Sequence, residues 1–346
     1  MNRGLGIGLL LCVSLMLLPM PLSSAVVDWV SGEVSYSHYR GEWNDLDVGM
    51  NLNAGDIVKT GIASEAVLTE DGGEIHILEN SEFTVAERYE QEKRRSTLML
   101  FLGRVRFKIG KTAEIEPEIR TQTVNLSIRG TDFEVGSGYD GSTIVLLTDG
   151  SVAVQGKTGE LVLDKGEGAE IKFGEEPSEK FKIIERVIDW DEWFAYSEEA
   201  IKGNELGLLS KMLERFEELQ ADIKNYETVR ANALEKKDTL IKKRDELYDA
   251  GKEKEATEYS IKAGDWSKRA IHALINIRFL ALSSIGLYDM AERIYTGIEE
   301  PSKEITDVFD RIKEIYRWIE DRYIMAGDRE RLKEKAEQKR GCLTLF

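Results

Sequence analysis

Ile128-Arg129-Gly130-Thr131-Asp132-Phe133-Glu134-Val135 closes a β-patterned run, and its spacing decides the fold. Upstream, Val124, Leu126 and Ile128 are apolar at even positions, whereas Phe133 and Val135 are apolar at odd ones. Side chains of a strand change face at every residue, so the register must slip between the two sets. One extra residue near Gly130, a β-bulge, lets both sets face one core, and glycine tolerates the backbone angles a bulge needs. The structural reading makes Arg129, Gly130, Thr131 and Phe133 a fold-defining kink. The functional reading has the bulge aim Arg129 and Thr131 at a partner.

Working outward, the chain of 346 residues is 42% hydrophobic and long enough for about two domains with full cores. Its formal charge of -17 repels phosphate backbones, and no basic patch with interleaved aromatics occurs, which excludes nucleic acid as the expected partner. At the N-terminus, Arg3 precedes an apolar run from Leu5 to Leu18, Pro19 and Pro21 break it, and Ser23-Ser24-Ala25 offers small residues to a signal peptidase. The expectation is a leader over residues 1–25, cleaved after Ala25, and a periplasmic or otherwise extracytoplasmic location. An uncleaved leader would instead act as a membrane anchor.

Once Cys12 leaves with the leader, Cys342 is the single cysteine, so neither an intramolecular disulfide nor a cysteine-based metal site is expected. His38, His76 and His272 are scattered without metal-ligand spacing. No cofactor is expected. Paired carboxylates for glycan cleavage would have to face one cleft, which no spacing here indicates, so the chain reads as non-enzymatic.

From Val26 to about Phe173, short alternating apolar runs are separated by glycine turns. Asp71-Gly72 and Asp149-Gly150 each lie between β-rich runs as hairpin turns would, with a looser third copy at Lys165-Gly166. Their uneven spacing points to a hairpin meander or sandwich over 26–175. A polar join near Gly174 to Ser178 opens a linker over 176–196.

The order Gly32-Glu33-Val34, Gly55-Asp56-Ile57-Val58-Lys59-Thr60, Ala66-Val67-Leu68, Gly103-Arg104-Val105, Arg129-Gly130-Thr131 with Phe133, and Gly150-Ser151-Val152 resembles the FecR domain family over about half the chain. Arg-Gly-Thr with the following phenylalanine is its most diagnostic element, and the Gly-Asp run ending at Thr60 the second. The resemblance implies an extracytoplasmic β domain that senses or binds, without catalytic residues. In the name-giving members a cytoplasmic anti-sigma segment and a membrane span come first; here only Met1 to Gly4 precede the apolar run. The expectation is therefore a freestanding secreted FecR-type protein.

Trp190, Trp193 and Phe194 put three aromatics in five residues between the halves. They suit a packing clasp, or a sugar-stacking platform flanked by Asp191 and Glu192 if they share a face. From about Ser197, Leu206, Leu209, Leu213, Phe216, Leu219, Ile223 and Tyr226 mark one helical stripe. A second tract runs from about Lys252 to Ile298, with a kink expected at Gly264-Asp265, and a third starts after Pro301-Ser302. Short segments at Gly251 and Gly264 resemble tetratricopeptide joints, although their spacing is far below a repeat of ~34 residues. The fold class is α+β as separate domains, an all-β half and then an antiparallel helical bundle or coiled-coil hairpin over 197–341. The expected partners are an envelope protein or peptidoglycan-type glycan, with self-association through the helices.

Overall fold

Strands fill the first half of the chain and helices the second, in the order α+β that the two periodicities imply. The computed structural model describes residues 25–70, 73–90, 92–110, 118–157, 159–177 and 179–325. The leader with Cys12, the Asp71-Gly72 dipeptide, and the tail holding Cys342 and the charge run from Arg329 to Arg340 lie outside the described residues. The early strands are β1 (Ala25–Ser31), β2 (Val34–His38), β3 (Asn44–Asp45), β4 (Asn51–Leu52), β5 (Asp56–Thr60), β6 (Glu65–Glu70), β7 (Gly73–Ile77) and β8 (Glu82–Glu90). They are followed by β9 (Lys93–Lys108), β10 (Glu118–Arg120), β11 (Asn125–Ser137), β12 (Thr143–Gln155), β13 (Glu160–Asp164), β14 (Glu167–Ile171) and β15 (Lys180–Lys182). The expected cleavage point after Ala25 falls on the first residue of β1, a buried side chain paired with Leu52.

All fifteen strands of the described residues join one hydrogen-bonded network that folds over on itself. Three long strands make the fold. The first half of β9 pairs with β8, while its second half pairs with β7 and β11. In β11 the first residues pair with β10, and in β12 the two halves serve β14 and β13. Each long strand carries one glycine at positive φ where it changes layer: Gly103 at 94°, Gly130 at 55° and Gly150 at 93°. At each corner the inward set changes parity. Leu98 and Leu100 give way to Val105 and Phe107, Leu126 and Ile128 to Phe133 and Val135, and Val145 and Leu147 to Val152 and Val154, all in one core cluster.

The expected hairpin at Asp149-Gly150 is therefore corrected. Gly150 lies within β12, and the turn-like dipeptide is a strand corner. Lys165-Gly166 is not a hairpin either, because β13 and β14 do not pair with each other but run in line along the two halves of β12. The β6–β7 pair does close as a hairpin, from Glu70 opposite Gly73.

The second layer is buried on both sides. In β9, Leu98, Met99, Leu100 and Phe101 are all buried: Leu98 and Leu100 face the strand core, while Met99 and Phe101 join Ile57, Ala86 and Phe173 in a second core with the helices. The strand and helix halves thus share an apolar interface.

Among the described residues four helices follow: α1 (Trp190–Glu199), α2 (Glu205–Asp249), α3 (Glu253–Thr296) and α4 (Lys303–Ile319), the last continuing into a wider π-type turn, Glu320–Ile324. β15 and α1 occupy the segment expected to be a linker. The first and last helices have side-chain caps, Asp189 accepting from Glu192 N–H and Ser302 from Ile305 N–H. α2 and α3 form a long antiparallel hairpin whose seam follows a seven-residue repeat. Ala256, Ala263, Ala270, Ile277, Ser284 and Ala291 of α3 are all buried. The expected kink is corrected: α3 runs unbroken through Gly264-Asp265, so no tetratricopeptide-like joint occurs there either. Among the described residues α3 alone is long and apolar enough to cross a membrane, but 67% of its apolar window is buried within the fold.

The proximal hairpin is thick and the distal half thin. Between Ile223 and Ala270, the buried residues are Ala233, Leu247, Ala256 and Ala263 alone. Strand contacts reach along α3 to the β8–β9 end, where Tyr89 stacks on His272 at 3.7 Å and Asn276 bonds both backbone groups of Tyr89, at 2.7 and 2.9 Å. Beyond that anchor the two helices run on as an arm of about 30 Å, at ~1.5 Å per residue.

Candidate binding surfaces

The Arg-Gly-Thr element sits at the β11 corner. Arg129 pairs with Ser151 and Asp132 with Asp149, so Gly130 and Thr131 together stand opposite Gly150 alone. The fit is tight, since a Cβ on Gly150 would lie 2.5 Å from Thr131 Cγ2 and 2.6 Å from the Gly130 carbonyl oxygen. Thr131 is buried, its carbonyl accepting from Ile109 N–H at 2.8 Å, and its hydroxyl has no partner among the described residues. Phe133 is fully buried and stacks on Phe107 at 5.0 Å, and Asp132 takes a two-pronged bond from Arg106, at 3.1 and 2.9 Å. That bond pushes the Arg106 guanidinium pKa up. Gly130, Thr131 and Phe133 are therefore committed to the corner.

The Gly-Asp-Thr element is also structural. Buried Asp56 accepts from Asn53 N–H at 2.7 Å and lies 2.7 Å from His38 Nδ1. Thr60 donates to the Leu78 carbonyl at 2.6 Å and accepts from Ser81 N–H at 2.9 Å, tying β5 to the turn before β8.

The aromatic trio divides by role. Trp193 is buried and donates from Nε1 to Glu170 at 2.8 Å, fastening α1 to β14. Gly136 makes room for it: a Cβ there would meet the Trp190 ring at 2.6 Å and the Trp193 ring at 3.2 Å. Trp190 lies under the Arg104 guanidinium at 4.9 Å and, with Phe194 and Tyr139, lines an open groove of about 380 Å³. Glu79, Asn80, Asp189 and Asp191 supply its polar edge. The groove combines ring faces with hydrogen-bonding groups, a pairing suited to a sugar or a peptide.

A second cleft, which the sequence did not reveal, opens between the strands and α2. It has about the same volume, 380 Å³, with Arg120, Lys157, Lys211 and Arg215 among its charged lining residues. Its components come from segments far apart in sequence, so no local motif marks them. Gly286 on α3 lets the surrounding walls approach, since a Cβ there would meet Phe101 at 2.5 Å and Gln122 at 2.6 Å. Among the described residues, no group of three or more His, Cys, Asp or Glu side chains is placed to hold a metal ion.

Residues 56–153 match the family model described as FecR protein. That segment runs from β5 into β12 and includes the Arg-Gly-Thr element, the Gly-Asp-Thr element from Asp56 on, and all three glycine corners. Two crystal structures of a candidate anti-sigma factor from Parabacteroides distasonis are similar at 15% and 16% identity, each with a TM-score of 0.30. Each alignment covers 36% of this chain and 59% of that protein, so the chain spans less than two thirds of its length. No curated protein matches the chain.

Proposed function

We propose that this chain is a non-enzymatic binding protein of the cell envelope, in which a FecR-type strand fold supports a helical arm that contacts a protein partner. The observation that carries the reading is the arm. Two helices extend about 30 Å beyond their anchor on Tyr89, more length than the strands need for cover. The arm also presents exposed apolar side chains, Tyr248 and Ile261, with Val229 and Ile271 at its base, amid charge. The leader-like apolar run from Leu5 to Leu18 supports an extracytoplasmic location; if it is retained, the same protein would be tethered to the membrane.

Cross-linking in envelope fractions tests this reading against a variant in which residues 231–269 are replaced by a short Gly-Ser link. The full chain is expected to capture one reproducible protein set that the shortened chain loses. Capture of the same set by both would remove the arm from the proposal.

A second reading rests on the aromatic groove. Trp190, Phe194 and Tyr139 beside Asn80 and Asp191 suit the stacking and hydrogen bonding of an envelope glycan. The expected result is co-sedimentation with purified peptidoglycan at physiological salt, reduced in Trp190→Ala; a chain that stays in the supernatant would end the glycan reading.

A further inference from the structure

We propose that the cleft between the strands and α2 binds a small organic acid, its carboxylate held by Arg120 and Arg215 and its apolar part lying against Met99, Phe101 and Phe173. The volume of about 380 Å³ lies within the range of small-molecule sites, roughly 300–1,000 Å³. Its charge runs against that of the molecule. The chain carries -17, yet the charged residues lining the cleft are four cations, Arg120, Lys157, Lys211 and Arg215, and two acids, Glu214 and Glu218, a local excess of two positive charges.

The acids beside these cations are shared between them. Glu218 is taken at the rim by Lys157 at 2.7 Å and Arg215 at 3.0 Å. Lys211 donates to the Phe173 carbonyl at 3.1 Å, with exposed Glu175 at 3.8 Å. Arg120 lies deeper, its side chain 18% exposed, with Nε and Nη2 each 3.0 Å from one oxygen of Glu118 and its guanidinium 4.9 Å over the Phe279 ring. Glu118 is shared, because its other oxygen holds Arg88 at 2.8 Å, and half-exposed Glu90 stands 3.7 Å from Arg88. Burial pushes the Arg120 pKa down, and Arg88 and Arg215 push the same way against Glu118. An incoming carboxylate would relieve that repulsion.

The remaining lining specifies the class of acid. Met99, Phe101 and Phe173 supply an apolar wall, and the amides of Gln122, Asn125 and Gln155 a polar rim. Guanidinium groups match a planar carboxylate geometrically, and the wall selects an acid with an apolar substituent over a bare inorganic anion. Such a ligand would touch both halves of the molecule. The inference is independent of the arm and of the aromatic groove, which lie elsewhere on the surface.

Calorimetric titration of the full chain tests it with N-acetylphenylalanine, its uncharged amide, and inorganic phosphate as probes. The acid is expected to bind at least about tenfold more tightly than the amide or phosphate, as loss of a charge-assisted hydrogen bond implies. Arg215→Gln is expected to weaken the acid by about tenfold; Arg215 is 42% exposed, so the fold should survive its replacement. Lys252→Gln, at the end of the arm, should bind as the parent does. Equal binding of acid and amide, preference for phosphate, no binding by any probe, or unchanged affinity in Arg215→Gln would each overturn the proposal.

Discussion

Gly150 has no room for a side chain, and it also holds a backbone conformation that L-residues avoid. Gly166 shares the second property without the first: its φ is 81°, but a Cβ there would meet nothing within 4 Å. Gly150→Ala is therefore expected to cost about 2–4 kcal/mol and Gly166→Ala only about 1 kcal/mol, the difference being the clash with Thr131. Urea unfolding of the two variants checks this; equal costs would show that the corner relaxes freely. A second residue-scale prediction concerns Glu167. Lys182 and Lys180 donate to it at 2.8 and 2.9 Å, and with Asp164 N–H they hold its pKa down to about 2 from 4.5, Lys182 contributing most. A carboxylate depressed on folding stabilises the fold above its unfolded pKa and ceases to do so as pH falls through the folded value. Stability referable to Glu167 should thus be present above about pH 4.5 and fade toward pH 2. Carbon-detected titration should find that low value, and Glu167→Gln should flatten the acid limb over the same window; an ordinary pKa would refute the assignment.

At the scale of elements, α3 contains two glycines in opposite surroundings. A Cβ on Gly264 meets open space, whereas one on Gly286 would strike Phe101 at 2.5 Å. Gly264→Ala should stabilise by about 0.5–1 kcal/mol through helix propensity, and Gly286→Ala should destabilise by about 1–3 kcal/mol through overpacking. Thermal unfolding midpoints moving in the same direction would contradict this account. The strands show how far local pattern reaches. The parity change around Gly130 was legible as a bulge because Ile128 and Phe133 stand on opposite phases. The same signal was present around Gly150, with Leu147 and Val152 out of phase, yet Asp-Gly is also favourable hairpin chemistry, and only pairing with β11 separates a corner from a turn. The helical stripes were readable from their period. The basic cleft was not, because Arg120 and Arg215 come to line one cleft through tertiary packing and share no spacing rule. Of the aromatic trio, sequence could name the residues but not that Trp193 turns inward while Trp190 and Phe194 line a groove.

On the scale of the whole molecule, the two halves share a core. The second strand layer presents Ile57, Ala86, Met99, Phe101 and Phe173 to the helices, and burying a large apolar side chain contributes about 1.5–3 kcal/mol. Residues 25–182 produced alone are expected to bind a hydrophobic dye or self-associate, and the full chain to do neither; a monomeric, dye-negative strand half would show that the interface is dispensable. The anchoring of the arm also has a mechanical consequence. With Tyr89 and Asn276 as its fulcrum, a rotation of about 10° there would sweep the tip of a ~30 Å hairpin through about 5 Å. The arm is a lever, and a load at its tip is delivered, multiplied, to the end of the β8–β9 hairpin.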